Sequence, residues 1–185
     1  MLSKSGDAEG TVAAPLSSAH KFAGWYDQSG NLVGEELEFV PQKVNGLNVA
    51  ATYIAKFEYN LTSLTIVKDV ADEFKAIDPN QTFIFNIKGD GVDLNVTVHR
   101  DGNGNWSTTI DGLTVGAKYI FTEKTDWSWR YNCTGWEYQG SNGGATRTGN
   151  IASITIGLDG TITFTNTRGN EQWLDGDSWC NNIFK

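Results

Sequence analysis

Along Gly160-Thr161-Ile162-Thr163-Phe164-Thr165-Asn166-Thr167 every second residue is apolar until the row ends on an amide, so Ile162, Phe164 and Asn166 share one face of an extended chain. The same period recurs in Leu64-Thr65-Ile66-Val67-Lys68-Asp69-Val70, where Leu64, Ile66, Lys68 and Val70 lie on one face. In Tyr119-Ile120-Phe121-Thr122-Glu123 the shared face carries Tyr119, Phe121 and Glu123. The apolar row is the buried one in each strand, which places one Lys, one Glu and one Asn among core residues. An unpartnered buried polar group costs about 1–3 kcal/mol, so each of the three needs an answering group inside the core.

Elsewhere the apolar runs are short, β-branched or aromatic, and closed by turn residues. Residues 1 to 18 read as a linker or a frayed strand, with strand character only at Thr11-Val12-Ala13. From His20 a strand carries Phe22 and Trp25 as bulky anchors, a Gly30-Asn31 turn follows, and Leu32-Val33 returns as the other arm of a hairpin. Glu38-Phe39-Val40-Pro41 leads into another short strand, and Ala51, Tyr53, Ala55 and Phe57 alternate through the next. Asn60-Leu61-Thr62-Ser63 is a polar bridge, which puts a boundary near residue 60 and opens a larger unit with the Lys68 strand.

In that unit Asp72 to Asn80 is a polar excursion, Thr82 to Lys88 a strand and Gly89-Asp90-Gly91 a turn. Leu94 to His99 and Trp106 to Ile110 flank a hairpin tip at Asp101-Gly102-Asn103-Gly104-Asn105. Gly112 to Ala117 precedes the Glu123 strand, a Trp- and Gly-rich stretch runs from Asp126 to Asn150, and Ile154-Thr155-Ile156 with the Asp159-Gly160 turn precedes the Asn166 strand. No helical period outlasts a few residues. The pattern predicts an all-β chain, with a small β module at 19–59 and a β-sandwich at 60–185.

Composition narrows the partners. The 185-residue chain has a formal net charge of -8 and a pI near 4.7, with no Lys/Arg stripe to displace counterions, so nucleic acid is not an expected partner. No apolar run reaches bilayer-crossing length, and Met1 to Ser18 lacks the apolar core of a signal peptide, so no membrane contact is expected of this segment. A Gly/Ala/Ser-rich start and an end just after a strand fit a soluble piece of a longer protein, with targeting and anchoring signals outside it.

Two resemblances follow from these residues. Phe22-Ala23-Gly24-Trp25-Tyr26, followed about 25 residues later by Thr52-Tyr53-Ile54-Ala55-Lys56-Phe57, resembles the closing half of a Listeria-Bacteroides repeat, the internalin B-repeat type of bacterial surface module. Over residues 60–185, a Lys on the first strand, a Glu near the middle and an Asn on the last strand resemble the collagen-adhesin B-type (Cna B-type, prealbumin-like) domains of Gram-positive surface proteins and pilins. The segments Leu-Thr-Ile-Val-Lys, Tyr-Ile-Phe-Thr-Glu and Thr-Phe-Thr-Asn-Thr carry that resemblance, and Trp173-Leu174-Asp175-Gly176-Asp177 is similar to the tail that follows the last strand in some of those domains. The resemblance implies a spontaneous isopeptide bond between Lys68 and Asn166, assisted by Glu123.

The chemistry is sound on physical grounds. Burial disfavours charge, which favours a neutral, nucleophilic Lys68 amine and a protonated Glu123 able to donate. Such a Glu123 would polarise the Asn166 carbonyl and move protons as the amine attacks and ammonia leaves. Well-oriented intramolecular groups reach effective molarities of roughly 10⁵ M or more. The same pattern also fits a buried Lys–Glu ion pair with an Asn hydrogen bond and no reaction at all.

Other candidates are less specific. Cys133 and Cys180 are the only cysteines, and an even pair in a β-domain expected to be extracellular points to a disulfide; two free thiols are the alternative. Trp127, Trp129, Trp136 and Trp173, with Tyr131 and Tyr138, would serve either as an aromatic platform for a host glycan or protein or as caps on the ends of a sandwich. Asp101-Gly102-Asn103-Gly104-Asn105 opens like a calcium loop, but Trp106 stands at the turn-glycine position and Gly112 at that of the bidentate Glu, so it reads as a plain hairpin. His20 and His99 are isolated, so no metal or cofactor is expected. Asn60, Asn80, Asn95, Asn105 and Asn132 open glycosylation sequons that a Thr- and Asn-rich chain produces by chance.

The expected function is therefore structural. The chain reads as a stalk segment of a bacterial surface adhesin or pilin-like protein, extracellular and wall-borne, with neighbouring modules of the same protein as partners. It would turn over no substrate beyond its own single crosslink. The alternative is a glycan- or host-protein-binding module using the 126–150 stretch.

Overall fold

The computed structural model describes residues 4–71, 73, 79–128 and 130–169. Backbone contacts divide the chain into two compact units, Met1–Leu61 with Thr114–Gly116, and Thr62–Leu113 with Ala117–Lys185. Among the described residues no helix is long and apolar enough to cross a membrane.

The first unit is built on β2 (His20–Asp27), which lies between β3 (Leu32–Gly34) and β5 (Tyr53–Tyr59) in an antiparallel sheet. The β2–β3 turn forms because Asp27 Oδ1 accepts the backbone N–H groups of Ser29 and Asn31, each at 2.9 Å, while Gly30 takes a φ of 85°. The predicted anchors pack as expected. Trp25 stacks on Phe39 at 5.4 Å and donates its indole N–H to Glu36 O at 3.1 Å, and Phe22 meets Phe57 edge-on at 5.7 Å. A two-residue strand β1 (Thr11–Val12) pairs with β4 (Glu38–Phe39), and Ala13 N–H donates to Leu37 O at 2.8 Å, so this part of residues 1–18 is a strand of the unit.

The second unit holds β6 (Leu61–Val70), β7 (Phe83–Gly89), β8 (Val92–Arg100), β9 (Trp106–Thr114), β10 (Lys118–Glu123), β11 (Tyr131–Gly140), β12 (Gly143–Thr148), β13 (Ile151–Thr155) and β14 (Gly160–Arg168). Their order in the sheet is β12-β11-β14-β6-β9-β8-β7-β10-β13. β14 runs antiparallel to β11 and parallel to β6, so the first and last strands of the unit are neighbours. Turn chemistry sets the hairpins. Asp90 and Gly91 have φ of 45° and 78° between the paired residues Gly89 and Val92, the geometry of a two-residue loop that follows strand twist. At the β8–β9 tip, Asp101 Oδ1 accepts the N–H groups of Asn103 and Asn105 at 2.9 and 2.8 Å, a plain hairpin as expected.

Alternating residues from strands across this order, including Leu64, Ile66, Phe83, Phe85, Ile87, Trp106, Phe121, Ile162 and Phe164, meet in one cluster. The sheet must fold back on itself to bring them together, which makes the unit the expected β-sandwich. Lys68, Glu123 and Asn166 lie inside it, with exposures of 2%, 1% and 1%.

Candidate functional site

The three polar residues reach one point from three strands. Strand parity turns Lys68 inward from β6 and Asn166 inward from β14, where the parallel register sets Phe164 beside Lys68 and Asn166 beside Val70. The Lys68 stem spans that offset. Glu123 is the last residue of β10, opposite Phe85 of β7.

Their polar atoms answer one another. Lys68 Nζ donates to Glu123 Oε2 at 2.7 Å and also to Asn166 Oδ1. Asn166 Nδ2 donates to Glu123 Oε1 at 2.7 Å, so a single carboxyl group bridges the amine and the amide. The Lys68 nitrogen lies 5.1, 6.0 and 5.8 Å from the ring centres of Phe83, Phe85 and Phe164, which wall it from solvent. Burial holds the Lys68 ammonium below its usual pKa, and the neighbouring Glu123 carboxylate opposes that shift.

Two further residues adjoin the site. Cys133 lies directly across the β11–β14 ladder from Asn166, and a bulge follows it before Gly135. Its thiol donates to Gly149 O at 3.4 Å, and burial, with the Glu123 charge adding, pushes its pKa up to about 12. Cys133 is a free thiol in the structure, and its expected disulfide partner Cys180 lies outside the described residues. Asn150 was not singled out in the sequence, where it signals only a turn. Its backbone and side chain both hydrogen-bond the main chain of Glu123.

The described aromatic residues of 126–150 are dispersed. Trp136 is 5% exposed and donates its indole N–H to Ile151 O at 2.9 Å, so it is a core residue and not part of a surface platform; Tyr131 and Tyr138 are buried with it. β11 alternation decides this, because Tyr131, Trp136 and Tyr138 fall on its inward face on either side of the bulge. Trp127 is exposed, and Trp129, Trp173 and the run Trp173 to Asp177 lie outside the described residues. Among the described residues no group of three or more His, Cys, Asp and Glu side chains is placed to hold a metal.

No curated protein matches the chain. Solved structures that resemble it include a mutant of the major pilin from Streptococcus pyogenes, with 19% identity and a TM-score of 0.47 over 84% of this chain and 67% of that one. A second is a bacterial adhesin from Mobiluncus mulieris containing intramolecular disulfide, isopeptide and ester bond cross-links, with 18% identity and a TM-score of 0.49 over 76% of this chain and 52% of that one. A third is the major pilin protein T-13 from Streptococcus pyogenes, with 19% identity and a TM-score of 0.49 over 85% and 64%. The chain thus spans between about half and two thirds of the length of these proteins. A family model described as a domain of unknown function, DUF5979, matches residues 64–168, from the start of the Lys68 row to the end of the Asn166 strand. That match covers more than half of the 185 residues, and the chain belongs to the DUF5979 family.

Proposed function

We propose that the second unit is a self-crosslinking β-sandwich in which Lys68 and Asn166 join through an isopeptide bond with Glu123 as proton carrier. The observation that carries this reading is the Glu123 carboxyl, whose two oxygens take hydrogen bonds from the Lys68 amine and the Asn166 amide, each at 2.7 Å. The amine also lies against the carbonyl oxygen of the amide it would attack.

In its uncharged form, which burial favours, the Lys68 amine attacks Asn166 Cγ. The Nζ–Cγ bond forms and the Cγ–Nδ2 bond breaks. One proton leaves Nζ, passes through Glu123 and reaches Nδ2, which departs as ammonia. The product is an amide between neighbouring first and last strands, made once per chain.

A covalent tie at that place suits a module pulled along its length. We therefore read the chain as a stalk segment of a Gram-positive surface protein or pilus, extracellular, with neighbouring modules of the same protein as its partners. The resemblance of the Lys68, Glu123 and Asn166 strands to Cna B-type domains supports the same reading, and the first unit would be a further module, similar to a Listeria-Bacteroides repeat.

The test is the intact mass of the denatured full chain, with peptide mapping. The expected result is a mass lower by one ammonia and a linked peptide pair containing Lys68 and Asn166, absent from Lys68→Ala and Asn166→Ala. A parent chain at full mass would reduce the site to a buried ion pair with an amide.

A further inference from the structure

Glu123 is an awkward place to keep a proton carrier. It ends β10, and the ladder that pairs β10 with β13 stops one residue earlier, at Thr122 opposite Ile151. A carboxyl that has to face an amine and an amide at once needs a fixed backbone beneath it, since a misplacement of about 1 Å can cost about 100-fold in rate.

Asn150, in the turn between β12 and β13, supplies that backbone. Its carbonyl accepts the Glu123 N–H at 2.9 Å, and its side-chain Nδ2 donates to the Glu123 carbonyl at 3.0 Å. The second contact replaces the backbone N–H that a further ladder residue would offer, so one residue satisfies both main-chain groups of Glu123. On the other side, the Lys124 N–H donates to Ile84 O at 2.8 Å. The peptide that follows Glu123 is thereby held as well, leaving the side chain to project into the core from a clamped backbone. The turn itself is tied down, because Gly149 N–H donates to Thr134 O at 3.4 Å.

We propose that Asn150 is a positioning residue for the crosslinking reaction, holding the end of β10 so that the Glu123 carboxyl spans Lys68 and Asn166. This rests on the self-crosslinking reading above. Its side chain is bonded to the main chain of Glu123, and its effect is on the rate at which the bond closes.

The experiment follows bond closure in time. Full-length chain is pulse-labelled in cell-free synthesis, chased, quenched in denaturant and assayed for the species lighter by one ammonia. Asn150→Ala is expected to crosslink about 10- to 100-fold more slowly than the parent. Asn150→Gln, which keeps an amide donor, is expected to recover most of that loss. Fold is assessed separately in the Asn166→Ala background, where no bond can form and where adding Asn150→Ala should leave a cooperative thermal transition. Closure of Asn150→Ala at the parental rate overturns the proposal, as does failure of Asn150→Gln to recover rate. Loss of the folded state in the Asn166→Ala background overturns it in favour of a purely structural role. A parent chain that never loses ammonia removes the crosslinking reading and this inference together, whereas a crosslinked parent with an equally fast Asn150→Ala removes only the inference.

Discussion

At the scale of single residues, the site is governed by the cost of burying charge. Lys68 has its pKa lowered by burial, so over the interval between that lowered value and the usual 10.5 the folded chain binds fewer protons than the unfolded one. Stability of an uncrosslinked chain must therefore rise with pH across that interval. In Asn166→Ala, the thermal unfolding midpoint should rise as the pH is raised towards 10.5, and Lys68→Met should abolish that rise; a midpoint that falls as the pH approaches 10.5 contradicts it. Cys133 gives a second test. With a pKa near 12 its thiol stays protonated at ordinary pH, so in a Cys180→Ala chain a thiol reagent should react at least about 10-fold more slowly with native than with denatured protein. Equal rates would place the thiol in solvent.

At the scale of elements, the β14 alternation sets Ile162, Phe164 and Asn166 in one inward row, and the parallel β6 partner sets Lys68 beside it. Phe164 is fully buried, packs on Phe85 at 4.8 Å and helps to wall Lys68, so Phe164→Ala should cost about 3–5 kcal/mol in denaturant unfolding and open the site to water. The turns separate two kinds of glycine. Gly91, at a φ of 78° with open space around it, should tolerate Ala at a cost of about 1–2 kcal/mol. Gly89, at a φ of 150°, would drive a Cβ into the Lys118 carbonyl of the adjacent β10, so Gly89→Ala should cost clearly more in the same measurement. Equal costs would mean that the β7–β10 approach has room for a Cβ at position 89.

At the scale of the whole molecule, an isopeptide bond would close a loop between positions 98 residues apart. Chain-entropy arithmetic for such a crosslink gives roughly 4–5 kcal/mol from restriction of the unfolded chain, which corresponds to a thermal midpoint higher by roughly 10–20 °C. Calorimetry should find that difference between the parent and Asn166→Ala, increased by whatever the missing amide leaves unsatisfied around Lys68 and Glu123. A midpoint unchanged by Asn166→Ala would remove the tie from the stability of the unit.

What the sequence determined by itself is parity. A strand has a period of two wherever it sits, so the alternation around Lys68, Glu123 and Asn166 was enough to place all three in a core, and the short β-branched runs between turn residues were enough for an all-β chain. Turn residues likewise announced the Asp90-Gly91 loop and the Asp101 tip from local chemistry. Adjacency was decided only by the tertiary structure. Nothing local says that β14 lies between β11 and β6, that its parallel register lets Lys68 reach past Phe164 to Asn166, or that β11 turns Trp136 into the core. Nor does anything local bring Asn150 under Glu123, 27 positions away. Strand order and register come from the packing of segments distant in sequence, whereas side-chain alternation comes from the backbone of each strand alone.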